Sequence, residues 1–229
     1  EVRVYLFAST QHGPRGGTGA CVYPLNPNPF ADSLRALTVA LEAWVTDGVE
    51  PPESRVPRIA DGTLVPADRL AWPAVPGVTY TRLVNRMELL DFGPRFRHED
   101  ESGIVREPPV VAEREYAILV PQVDADGNDL PGIRSTTVQA PLGTYAGWNY
   151  LDNGDACILS GAFSPFAATR ADREAAGDPR PSLEERYGDT AGYVAAVRAA
   201  ADRLVGDRLL LAEDAERLVT EAQAYPLFP

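Results

Sequence analysis

An α/β fold is predicted by three features of the chain. A β-forming apolar run, Val2 to Thr10, delivers His12 into a loop opened by Gly13 and Pro14. An amphipathic helix follows at once, and two more amphipathic helices close the chain behind a hairpin-like middle. A strand that ends in a Gly/Pro loop is how open α/β sheets place reactive groups at the carboxyl ends of their strands.

The first helix starts at Asn28-Pro29, with Asn as N-cap, Pro at the first helical position and Asp32 near the positive end. Phe30, Leu34, Leu37, Leu41, Trp44 and Val45 recur at helical spacing until Gly48 ends the run. Residues 1–48 therefore form one strand–loop–helix unit. From Val49 to Pro76 six prolines and little periodicity predict an ordered but irregular connection, and Arg97 to Gly103 an exposed charged loop. Glu115 to Gln139 reads as a hairpin: Tyr116 to Val120 as one arm, Asp124 to Asn128 as the turn, Ile133 to Val138 as the return. Cys157-Ile158-Leu159 is strand-like. Helices are expected over Thr190–Val205 and Ala212–Gln223, with stripes at Tyr193, Val197, Ala200 and Leu204 and at Ala215, Leu218 and Ala222.

Composition excludes several functions. The 229 residues carry a formal charge of −12, which argues against nucleic acid or an anionic membrane as the main partner. Every basic residue is arginine, which removes a lysine nucleophile, Schiff base or P-loop. No apolar run approaches the ~18 residues of a membrane span. Cys21 and Cys157 are two buried thiols or one bridge, and the sequence leaves both open, with the compartment unassigned beyond a lean to a secreted or periplasmic one. The chain opens at Glu1 almost directly in a strand, and its one methionine is Met87, which leads us to expect the carboxyl-terminal portion of a longer protein.

Among candidate chemical groups His12 stands first, since a neutral imidazole at a strand end takes a proton from a hydroxyl and returns it to a leaving group. Gln11, Tyr145, Trp148 and Asn149 are candidates to line a substrate pocket; Trp148 fits a core corner equally well. His98, among acids in a hydrophilic loop, reads as surface. Asp124, Asp126 and Asn128 imitate half of a calcium loop, but Asp129 stands where glycine is needed and Ser135 where glutamate is needed, so a turn explains them and no metal or other cofactor is expected. The mixed charges of Arg170, Arg173, Asp178, Arg180, Glu184, Glu185 and Arg186 read as internal ion pairs rather than an anion site. No G-x-S-x-G elbow occurs: Ser9, Ser160 and Ser164 lack the flanking glycines.

Val2 to Pro14 with Cys21-Val22-Tyr23-Pro24-Leu25-Asn26-Pro27, Ala60 to Leu64, Leu119 to Asn128, Thr144-Tyr145-Ala146-Gly147-Trp148-Asn149, Pro165 to Arg170 and Gly177 to Tyr187 resemble the carboxyl half of the bacterial alpha/beta hydrolase domain-containing family of large hydrolases. The resemblance covers nearly the whole chain. It implies the carboxyl-terminal part of an α/β-hydrolase sheet (residues 1–48) plus a mixed α+β extension (residues 49–229), with His12 as the triad histidine. The serine nucleophile and the acid would lie upstream, as the order nucleophile, acid, histidine requires. The function this implies is cleavage of a small-molecule ester or related acyl bond, with the upstream half of the same protein as packing partner and without nucleic acid or membrane. The alternative is a non-catalytic binding or assembly module in which His12 is structural. An isolated last strand is also expected to leave an unpaired edge and an uncovered apolar helix face.

Overall fold

The computed structural model describes residues 1–13, 17, 19–103, 106–107, 109–157 and 159–227, with residues 110, 112 and 113 as backbone only. Pro14 of the first run and Ile158 of the strand-like trio lie outside them. The fold mixes helices with small strands. α1 spans Ala31–Asp47, β1 Leu64–Pro66, β2 Glu88–Leu90, β3 Val110–Glu115, β4 Leu119–Pro121 and α2 Thr136–Gln139. β5 is Gly143–Ala146, β6 Ala162–Pro165, α3 Arg170–Ala176, α4 Leu183–Tyr187, α5 Thr190–Gly206 and α6 Ala212–Ala224. The strands pair antiparallel as β1 with β4, β2 with β3 and β5 with β6.

The first extended run is engaged on both sides. Leu6 N–H donates to Arg55 C=O and Arg55 N–H to Val4 C=O, while Ala8 N–H donates to Ile133 C=O and Ile133 N–H to Leu6 C=O. Both bridges, Tyr5 with Arg55 and Phe7 with Ile133, are parallel. The unpaired edge expected for this strand is therefore absent over residues 4–8, because the irregular 49–76 connection and the segment after the Asp124 turn supply its two neighbours. Beneath it, Tyr5, Phe7 and Leu37 pack on a core of Ile133, Ala201, Leu204, Leu209, Leu210 and Ala215. α5 and α6, within a residue of their expected bounds, supply half of that core, and the turn between them adds Leu209 and Leu210.

Four expectations change. Asn28 does not cap α1: Phe30 is the N-cap residue, without a side-chain cap. The Asn28 side chain is buried and crosses to the strand, its Nδ2 donating to Ala8 C=O at 3.0 Å and Ser9 C=O at 2.9 Å. The apolar stripe of α1 does not form its buried face, which is Ser33, Ala36 and Ala40. Leu34, Leu41 and Val45 are instead 47%, 54% and 78% exposed, so the uncovered helix face foreseen from the sequence is present. The hairpin closes only at its tip, where Val123 bridges Asp129. Its return arm leaves to pair with Phe7 and then enters α2, capped by the Ser135 hydroxyl. Leu159 is a turn residue with φ of 66°, not part of a strand.

Candidate active-site cleft around His12

The run that points at His12 ends abruptly at Ser9. Ser9 is buried and holds the left-handed conformation, φ 53°, a strain of about 1–2 kcal/mol for a residue with a Cβ. Reciprocal bonds hold it there: Ser9 N–H donates to Asp129 Oδ2 at 2.6 Å, and Asp129 N–H donates to Ser9 Oγ at 2.7 Å. This bend turns residues 10–13 out of the strand direction and starts the loop that carries His12.

Buried amides then fix the loop from behind. Asn26 Nδ2 donates to Ser9 C=O at 2.9 Å and to Ala146 C=O at 3.0 Å, and its Oδ1 accepts from Asn28 N–H. Gln11 Oε1 accepts from Gly161 N–H at 2.6 Å while its Nε2 donates to Gly13 C=O at 2.7 Å. Each amide satisfies backbone groups that would otherwise be buried unpaired, at roughly 1–3 kcal/mol apiece. The motif Asn26-Pro27-Asn28-Pro29 was their signal in the sequence, since a residue before proline is held extended and its side chain must reach outward.

On this base the His12 imidazole stands exposed and makes no hydrogen bond to any described residue. It lines a cleft of about 400 Å³ with Gln11, Leu25, Leu159, Ser160 and the half-cystine pair. Cys21 and Cys157 are joined, Cα to Cα 5.8 Å, across 136 positions of sequence, so the alternative of two free thiols falls away. The bridge ties the loop after His12 to the segment bearing Ser160. Ser160 shares the cleft but does not hydrogen-bond His12.

The other sequence candidates are dispersed. Gln11 adjoins His12. Tyr145 is buried away from it, its hydroxyl accepting from Leu142 N–H, and burial pushes that phenol far above its ordinary value. Asn149 is buried in the framework, donating to Tyr23 C=O and Gly161 C=O and accepting from Tyr23 and Tyr150 N–H. Trp148 lines a different cleft with Trp72 and Tyr80. His98 lies on the surface, edge-on to Phe96 at 4.9 Å. The Asp124 carboxylate is engaged as the turn reading requires, Oδ1 accepting from Asp126 and Asn128 N–H and Oδ2 pairing with Arg134. Among the described residues no group of three or more His, Cys, Asp or Glu could hold a metal ion, and no helix is long and apolar enough to cross a membrane. The mixed-charge cluster is internal as expected, with Arg180 on Asp178, Arg173 and Arg170 on Glu185, and Arg186 on Asp126.

Asp129 escaped the sequence reading as anything but a spoiled calcium position. As a residue it is half-buried, but its carboxyl lies deep. Burial pushes it from 3.8 up to about 6, against the pull of the Ser9 N–H and Arg134 and with a further push from Asp124. The folded protein therefore holds a proton that the unfolded chain has released between about pH 4 and 6, and stability falls as pH rises through that window. Asp129→Asn is expected to flatten this part of the profile. Urea unfolding from pH 4 to pH 7 checks it; a profile parallel to that of the parent would contradict the assignment.

A family model described as alpha/beta hydrolase domain matches residues 3–220, a span that takes in the bridged first run, His12 and α1 to α5, with α6 to within its last turn. The chain belongs to the alpha/beta hydrolase domain family. Membership makes hydrolysis the general chemistry expected of the chain. No curated protein and no solved structure matches the chain.

Proposed function

We propose that His12 is the general base and acid of a serine hydrolase acting on an ester or related acyl bond, and that the nucleophile and triad acid are supplied from upstream of this chain. The observation that carries this reading is the state of His12: an exposed imidazole, lining a cleft at the head of a parallel-bridged strand, with no hydrogen bond to a described residue. A structural histidine would hold something in place, and this one holds nothing described. A proton-transfer histidine has to keep one nitrogen for the serine and one for the orienting acid.

Two further features support the reading. The sequence contains no G-x-S-x-G elbow serine, which supports a serine supplied to His12 from elsewhere. The uncovered face of α1 forms an apolar groove of about 330 Å³ with Leu34, Leu37, Leu41 and Trp44, which is the surface that an upstream half of the sheet and its helices would cover. Residues 49–229 then shape the wall of the pocket, with Gln11 and Leu159 at its edge and the Cys21–Cys157 bridge holding the rim. A bridge of this kind persists in oxidising compartments, which supports a secreted or periplasmic setting.

The test uses the protein with its upstream segment present. His12→Ala is expected to lower turnover of a p-nitrophenyl ester by ~10²–10⁴-fold. Ser160→Ala, which alters the same cleft, is expected to leave turnover close to that of the parent. Unchanged activity in His12→Ala would overturn the role of the histidine. Loss of activity in Ser160→Ala would move the nucleophile into this chain.

A further inference from the structure

The described surface holds a second cleft, of about 290 Å³, that shares no residue with the one around His12. Its walls are aromatic: the Trp72 and Trp148 rings lie 5.0 Å apart, with Tyr80 at 6.0 Å and 5.6 Å from them. Two polar groups there lack partners. Trp72 Nε1–H is buried without an acceptor. Asp129, which also lines the cleft, uses Oδ2 for the Ser9 N–H, and no described residue donates to its Oδ1.

The charge of Asp129 is likewise unmatched. Arg134 is the cation that acts on it, and that guanidinium is bonded to Asp124 through its NH2 group. Asp124 adds a like charge from the same turn, Ser9 offers only a backbone N–H, and Tyr80 across the cleft is neutral, its phenol raised by burial. An anionic group without a cation, beside indole faces, is complementary to an organic cation, which gains from both the carboxylate and the ring quadrupoles.

We propose that the cleft of Trp72, Trp148 and Asp129 is a binding site for a small organic ammonium with an apolar body, its N–H directed at Asp129 Oδ1 and its apolar body against the indole rings. The proposal is independent of the role of His12. Glycine is required beside the site: a Cβ on Gly127, whose φ is 80°, would meet Thr144 Cγ2 at 2.9 Å and the far edge of the Trp72 ring at 3.4 Å. Gly127 thus lets the Asp124–Asn128 turn approach the edge of the Trp72 ring.

The probe is phenethylammonium, with phenethyl alcohol as its neutral counterpart, and the readout is tryptophan fluorescence in a Trp44→Phe background, where Trp72 and Trp148 are the emitters that remain. Saturable binding of the amine is expected, at least about tenfold tighter than that of the alcohol. It weakens on acidification from pH 8 to pH 5 as Asp129 takes up its proton. Asp129→Asn, its fold checked by circular dichroism, is expected to lose about tenfold in amine affinity and to leave the alcohol unaffected. Equal affinity for amine and alcohol, an affinity that does not change with pH, or no saturation with either probe overturns the proposal. The first two of these tests, the amine–alcohol comparison and the acid shift, leave Asp129 unmutated and hold even if the Asp129→Asn protein does not fold.

Discussion

Replacing Cys21 and Cys157 together by serine is expected to destabilise the fold by about 2–5 kcal/mol and to lower the melting temperature by roughly 5–20 °C. The cross-link closes a loop of 136 positions, and the chain-entropy model gives about 5 kcal/mol for a loop of that length, an upper figure because an unfolded chain retains some structure. The loss also has a place. Cys21 follows His12 by nine positions, Cys157 lies three positions before Ser160, and all four line the cleft. Thermal melts with and without a reductant check the size of the effect. A parent melting curve that reductant leaves unmoved, with the thiols shown to be free, would contradict it.

Arg180→Met is expected to be at least as damaging, at about 3–5 kcal/mol, because it strands a carboxylate in the interior. Arg180 and Asp178 are 2% and 5% exposed, and their ion pair closes at 2.6 Å. The same guanidinium donates to Thr144 Oγ1 at 2.8 Å and to the carbonyls of Ser164 and Pro165. It thereby ties the α3–α4 connection to β5 and β6, and Arg180 also lies 5.1 Å above the Phe166 ring. Removing both partners, as Asp178→Leu with Arg180→Met, is expected to recover part of the loss, since the double variant leaves no uncompensated charge. Burial pushes the Asp178 carboxyl up, but the hydrogen bonds and charge of Arg180, with help from Arg173, outweigh it and hold the group below its usual 3.8. A depressed carboxyl stabilises the fold above its unfolded value and loses that stabilisation as pH falls through its folded one. The pair therefore adds to acid lability below about pH 4, opposite in sign to Asp129. Urea midpoints of the three proteins decide the matter. A single variant as stable as the double would contradict it.

How much of this was legible in the sequence differs by element. α5 and α6 were readable because their apolar positions meet one another and the strand, so the local period and the tertiary partner agree. The ion pairing of Arg173, Arg180 and Glu185 was readable from interspersed charge. α1 was not, because a period of 3.6 states that a stripe exists and is silent on whether this chain covers it; here Ala36 and Ala40 face inward and Leu41 faces out. Asn28 satisfied every local rule for a helix cap, yet its amide is used across a long sequence gap on Ala8 and Ser9. His12 was visible as a histidine at a strand end. That Trp72 and Asp129, 57 positions apart, line one cleft had no local signature at all. What escaped reading is in one case a long-range contact, the Asn28 amide on Ala8 and Ser9, and in another the want of one, over the apolar stripe of α1.

The central claim is that His12 serves a serine supplied by another segment. Labelling of the protein carrying its upstream segment with a fluorophosphonate, followed by peptide mapping, tests it most directly. The label is expected on a serine outside these 229 residues, and it is expected to be lost in His12→Ala. A label on Ser160 or on any other serine of this chain, or labelling that survives His12→Ala undiminished, would contradict it.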